Sequence, residues 1–185
     1  MAANPSPRLM TVEEFRRLPE RESTYCELRH GVLVEMTVPK FKHYRIQRRL
    51  RELLQTAAGA RGVADTEFAY RALPEYEFRV ADVACVSRER WDEIGDDDNL
   101  KGAPDLAVEV LSPSNTAAEI IDKERICLEN GCREFWVVDP DRQLIKISTP
   151  DGLTRTYRMG DSIPPDLWHE ETIAVDVIFS RQSDS

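Results

Sequence analysis

The chain has no apolar run approaching the roughly 20 residues of a membrane span, and its start, MAANPSPRLM, lacks the basic and apolar stretches of a secretion signal. A cytoplasmic location is the resulting expectation. Its four cysteines (Cys26, Cys85, Cys127, Cys132) include no C-x-x-C pair, and its three histidines (His30, His43, His169) are scattered singly. Structural zinc needs a tight ligand cluster, so that class is set aside and the cysteines are expected as buried, reduced thiols. Positive charge is also scarce. A net charge of −9 argues against a protein that coats nucleic acid by charge alone, so any phosphate contact must be local or assisted by a metal.

What is present is an evenly patterned chain of 185 residues, 41% hydrophobic and 32% charged, enough for one domain with its own core. Residues 1–10 read as a flexible start and residues 11–180 as a single domain. Thr11 and Glu14 have capping-box spacing for a first short helix. YCELR and VLVEM flank His30-Gly31 as a β-hairpin. Residues 41–58 carry Ile46, Leu50, Leu53, Leu54 and Ala57 at helical spacing, with Gly59 and Gly62 beyond them. Strand-like runs follow around 65–72 and 78–87, divided at Pro74-Glu75, then a short helical patch and an acidic loop over 88–104. Asp105–Leu111 reads as a strand, 116–130 as a helix with Thr116 and Glu119 capping it and Gly131 closing it. EFWVVD, QLIKIS, LTRTYR and the tail IAVDVIF complete a set of strands. Helices interleaved with strands predict an α/β fold with a central mixed β-sheet flanked by helices.

Two acids conflict with that pattern. In FRVADVACV, Asp82 stands among apolar residues on both faces of the strand, and in DLAVEVL so does Glu109. A buried ionised carboxylate is costly unless paired. Two resolutions exist: a polar pocket or an arginine partner such as Arg79 for each acid, or a cation shared by both, since Mg²⁺ takes one or two carboxylates plus water and phosphate oxygens. Lys123 follows on the next helix, at the shoulder of its apolar face beside Ile120 and Cys127. It either reaches inward, where it would orient or help deprotonate water, or snorkels to the surface. Lys40, Lys42, Arg45, Arg48, Arg49 and Arg51 crowd an acid-free stretch around His43, suited to phosphate contact or to a solvated helix face. Ser112 and Ser114 lack a companion base.

FRVADVACV, GAPDLAVEVLSPS, the K-x-x-x-C-x-x-x-G of the next helix and EFWVVDP together resemble the bacterial putative restriction endonucleases of the PD-(D/E)XK nuclease superfamily. YCELRHGVLVEM and the following His43 resemble the same family's entry segment. The resemblance runs from about Thr11 to Phe179. It implies a restriction-endonuclease-like core and Mg²⁺- or Mn²⁺-dependent hydrolysis of DNA phosphodiesters. Asp82 matches the motif aspartate and Glu109 the motif acid. Leu111 stands where the motif lysine is usual, and Lys123 matches its relocated counterpart. Glu27 matches an early acid that completes the metal shell. Ala81, Glu119 and Cys127 depart from the usual Pro, Asp and Tyr, and none of these changes removes a ligand. Pro104-Asp105 spells the motif more literally, but Asp105 shares a strand with Glu109, and the pair must come from neighbouring strands to meet one ion. The expected catalytic set is therefore Asp82, Glu109, Lys123 and Glu27, with Asp82, Glu109 and Glu27 on the metal. Nucleases that cut both strands often pair, which makes a homodimer a further expectation. The alternative is a catalytically silent nuclease fold that binds nucleic acid or a protein partner.

Overall fold

The computed structural model describes residues 8–19, 25–36, 39–72, 75–164 and 172–180; most of the expected flexible start, Pro74 and His169 lie outside them. The chain opens with α1 (Val12–Phe15), whose Thr11–Glu14 capping box forms as the spacing predicts, and Phe15 packs on Phe78 at 4.7 Å between ring centroids. Next comes the hairpin β1 (Tyr25–Arg29) and β2 (Val32–Met36). His30 and Gly31 both take positive φ (49° and 74°), as a tight two-residue hairpin turn requires. A Cβ at Gly31 would lie 2.7 Å from Leu9 Cβ, so the turn also needs the missing side chain.

The long helix α2 (Phe41–Ala58) leads to β3 (Gly62–Arg71), β4 (Arg79–Ser87), α3 (Arg88–Asp92) and β5 (Leu100–Lys101). Then follow β6 (Leu106–Val110), α4 (Ala117–Glu129), β7 (Glu134–Asp139), β8 (Leu144–Ser148) and β9 (Thr154–Arg158). β10 (Ser162–Ile163), β11 (Ile173–Ala174) and α5 (Val175–Phe179) close the chain. Seven strands form one sheet in the order β5-β3-β4-β6-β7-β8-β9. The β3–β5 and β6–β7 pairs are parallel and the rest antiparallel, so the sheet is mixed as expected. Parallel β6 and β7 need a crossover, and α4 supplies it.

Alternation along the central strands sends residues to two cores. Val83, Val108, Val110, Trp136 and Val138 pack with Ile46, Leu50 and Leu54 of α2 and with Ile178 and Phe179 of α5. Ala84, Ala107, Phe135 and Val137 pack with Ile126 and Cys127 of α4. β4 and β6 therefore lie inside the sheet and are covered on both faces.

Three expectations need correction. IAVDVIF is a strand only at Ile173–Ala174; Val175, Ile178 and Phe179 then recur at helical spacing and bury one face of α5. The loop before Ala103 contains the edge strand β5, a two-residue element too short to leave a pattern. The cysteines are all free, but Cys26 is only half-buried. Among the described residues, no helix is long and apolar enough to cross a membrane.

Candidate active site

Register sets the central geometry. β4 and β6 pair at Cys85↔Leu106, Ala84↔Ala107 and Val83↔Val108, and there the ladder stops. Its next pair would be Asp82 with Glu109. Like charges directly opposite one another disfavour pairing. The freed Val110 N–H turns instead to Asp82 Oδ2, 2.7 Å away. On the other flank, β3 and β4 pair at Thr66↔Val83 and at Phe68↔Ala81, but not at the position between. That position holds Glu67, at φ 51°, a left-handed conformation uncommon for a residue with a side chain. Three carboxylates thus stand in one row across β3, β4 and β6.

From α2, two side chains one turn apart reach this row. Gln47 is fully buried and donates through Nε2 to Glu67 Oε1 (2.6 Å) and Asp82 Oδ1 (3.0 Å). His43 Nε2 lies 2.8 Å from Val110 O and 3.1 Å from Asp82 Oδ2. Burial alone would discharge His43, but the hydrogen bond and charge of Asp82 override it and raise its pKa. Glu67 is raised chiefly by burial, with the Gln47 hydrogen bond opposing and the Asp82 charge adding to the shift.

Asp82 is only partly buried, but Glu109 is buried, and behind it lies the ion cluster that its burial requires. Lys123 Nζ is 2.8 Å from Glu109 Oε1 and 3.2 Å from Glu27 Oε1, and it donates to Val80 O at 2.6 Å. Glu27 is fully buried: Oε1 also accepts from Val80 N (2.9 Å) and Oε2 from Arg29 Nε (2.7 Å). Burial opposes its charge, yet Lys123 and Arg29 hold its pKa down to about 2. Burial pushes Glu109 the other way, well up, despite Lys123 beside it, and the charges of Asp82 and Glu27 add to the rise. Burial pulls on Lys123 as well, but Glu109, Glu27 and Asp82 raise it further and keep it charged.

A cleft of about 550 Å³ opens onto Asp82, Glu109, Glu67 and His43. The hairpin contributes Val34 and Met36 to its wall; the loop Ser112–Asn115, Lys40 and Lys42 complete it. Lys123 and Glu27 do not reach the cleft surface. The expected residues are brought together, but in two layers: Asp82 and Glu109 at the cleft, Lys123 and Glu27 behind. Arg79 is not the partner of either strand acid, because it pairs with Glu77 (2.7 Å) and Asp122 (2.9 Å). Asp105 stays apart, held by Ser87 N at 2.9 Å and Arg90 at 3.1 Å. Ser112 and Ser114 hydrogen-bond to one another at 2.8 Å.

Sequence reasoning passed over Gln47 and Glu67. Gln47 carried a signal, a polar residue on the apolar face of α2 between Ile46 and Leu50. Glu67 carried none, because nothing in TEFAY announces a reversed φ.

The donors suit a hard cation. Gln47 Oε1 is buried without a hydrogen-bond donor, and Glu109, whose Oε1 meets Lys123 at 2.8 Å, lines the cleft beside Asp82. Among the described residues, no three His, Cys, Asp or Glu side chains form a ready cage. Mg²⁺ does not need one, since it keeps several waters and takes one or two carboxylates. The residues present therefore fit Mg²⁺ or Mn²⁺ through Asp82 and Glu109.

Fold and cleft together define an α/β protein with a mixed sheet, in which paired acids backed by a buried lysine face a cleft. The chain belongs to the Uma2 family, described as "putative restriction endonuclease", whose model matches residues 12–176. Among solved structures it is similar to one described as a putative nuclease belonging to DUF820 from Anabaena variabilis. The two share 22% sequence identity over 92% of this chain and 97% of that one, with a TM-score of 0.80, a likeness of fold. No curated protein matches the chain. Membership of that family supports a nuclease role.

Proposed function

We propose that the chain is a metal-dependent endonuclease that hydrolyses phosphodiester bonds of DNA at the Asp82–Glu109 cleft. The observation that carries this reading is where the ladder ends. The pairing of two interior strands stops at the position where both carry an acid, and both acids face a cleft. Asp82 and Glu109 would hold Mg²⁺ or Mn²⁺, which when bound polarises a phosphoryl oxygen and acidifies water.

The chain's own residues do the rest. Val110 N–H, His43 and Gln47 together fix the rotamer of Asp82. Lys123 keeps its proton, so its part is electrostatic: it offsets the charge of Glu27 and favours the ionised form of Glu109 that a cation needs. Glu27, with both oxygens engaged, anchors Lys123 and serves the metal through it. Lys40 and Lys42 at the cleft mouth meet the phosphate backbone.

The test is a panel of DNA and RNA substrates with Mg²⁺ or Mn²⁺, read beside calorimetric titration of the metal. DNA cleavage that EDTA stops supports the reading. Nucleic-acid binding with neither cleavage nor metal uptake would establish the silent module instead.

A further inference from the structure

The exposed face of α2 carries two aromatic rings with no packing role. Phe41 is 78% and Tyr44 52% exposed, the first of these the most exposed large apolar residue among those described. Isolated apolar residues on a surface are ordinary. These two are not isolated. With Arg45 and Arg48 they recur at i, i+3, i+4 and i+7, one stripe of two rings then two guanidiniums about 10 Å long. Lys40 and Lys42, beside Phe41 in sequence, line the cleft that holds Asp82 and Glu109. No acid lies between Glu35 and Glu52, in a chain of net charge −9. The charge and the rings are concentrated on one helix, and Lys40, Lys42 and His43 at its start line the cleft.

We propose that this stripe binds single-stranded DNA, with bases stacked on Phe41 and Tyr44 and the phosphates led by the basic residues into the cleft. The inference rests on the DNA-cleaving reading for its choice of nucleic acid. Bases within a duplex keep their faces stacked on one another, whereas a single strand offers each face to an aromatic side chain. The cleft agrees in size. At about 550 Å³ it falls within the roughly 300–1,000 Å³ of pockets that take one small ligand, room for a nucleotide or two of one strand. The contacts that now occupy the basic residues are exposed: Lys42–Asp141 and Arg48–Glu52 are ion pairs, weak ones to give up, and Arg45 donates to Ser180 O at 3.0 Å.

The experiment is fluorescence anisotropy of a labelled thymidine oligomer and of a duplex of equal length, with the wild-type chain in EDTA so that nothing is cut. The expected result is tighter binding of the single strand. Phe41→Ala/Tyr44→Ala should weaken that binding by about tenfold per ring and leave duplex binding where it was. An unchanged melting temperature confirms that the double variant folds, as the exposure of both rings predicts. Equal or tighter binding of the duplex overturns the proposal, as does a double variant with wild-type affinity. Self-association of the wild-type chain that the double variant loses also overturns it, because the face then joins two copies. Single-strand binding by a chain that cuts nothing in Mg²⁺ or Mn²⁺ upholds this proposal while removing the hydrolytic one. Cleavage confined to duplex does the reverse.

Discussion

Lys123 Nζ stands 2.8 Å from Glu109 Oε1, behind a carboxylate whose other side faces the cleft. The lysine is 4% exposed and Glu27, 3.2 Å from it, 0%, so neither of these charges can turn to water if the other is lost. Lys123→Met should therefore destabilise the chain by about 3–5 kcal/mol, the cost of leaving buried charge unpaired. Adding Glu27→Gln should recover part of that loss, since the two side chains touch and their effects do not add. Urea unfolding of both variants measures this. A Lys123→Met chain as stable as wild type would show that Glu109 and Glu27 are not held as described.

The elevated pKa of Glu109 gives metal-free stability a definite slope. An acid whose folded pKa lies above its unfolded value, about 4.3, binds its proton more tightly when folded, so stability falls as pH rises between the two. His43 acts in the same direction: its raised pKa contributes stability below about 6.5 that is lost as pH rises through the folded value. The melting temperature without metal should fall between about pH 5 and pH 8, and Glu109→Gln should flatten the slope. Mg²⁺ should restore more stability near the upper end, where its ligands are already deprotonated. A melting temperature that climbs over this range would contradict the assignment.

Glu27 predicts the opposite behaviour in acid. Its pKa is held down to about 2, so its contribution is complete above the unfolded value of about 4.3 and is lost as pH falls towards 2. Circular dichroism across that interval should show acid unfolding. Glu27→Gln should begin from lower stability and lose less of it to acid.

Glu67 combines a strained backbone with a carboxylate at the cleft. Asn tolerates positive φ better than Glu and brings no charge next to Asp82. Glu67→Asn should raise stability by about 1 kcal/mol, part of the roughly 1–3 kcal/mol such a conformation costs, while lowering turnover. A variant that is less stable would mean the reversed φ carries no strain.

Much of this architecture could be read from the residues because local signals agreed with the fold. The two capping boxes, the His30-Gly31 turn and the apolar face of α2 each formed where spacing put them. Asp82 and Glu109 stood out because each is an acid within an apolar strand, and burial makes such an acid expensive wherever the chain places it. The tail misled because Val175, Val177 and Ile178 are β-branched, and only the burial of Val175, Ile178 and Phe179 in the core with α2 shows the helical period. The two layers of the site were also hidden. Whether Glu27 faces an ion or clasps Lys123 depends on Arg29 and the Val80 N–H, contacts that no spacing in the chain reveals. Glu67 joins the row only because its backbone reverses at one residue.

The most direct measurement is cleavage of DNA by Asp82→Ala in Mg²⁺ or Mn²⁺, with unfolding of the same preparation followed alongside. Asp82 lines the cleft and is held by polar contacts from Val110, His43 and Gln47, outside both apolar cores. The variant should therefore remain folded and lose metal-dependent cleavage and metal uptake together. A folded Asp82→Ala chain that still cuts DNA at the wild-type rate would contradict a metal site built on Asp82 and Glu109.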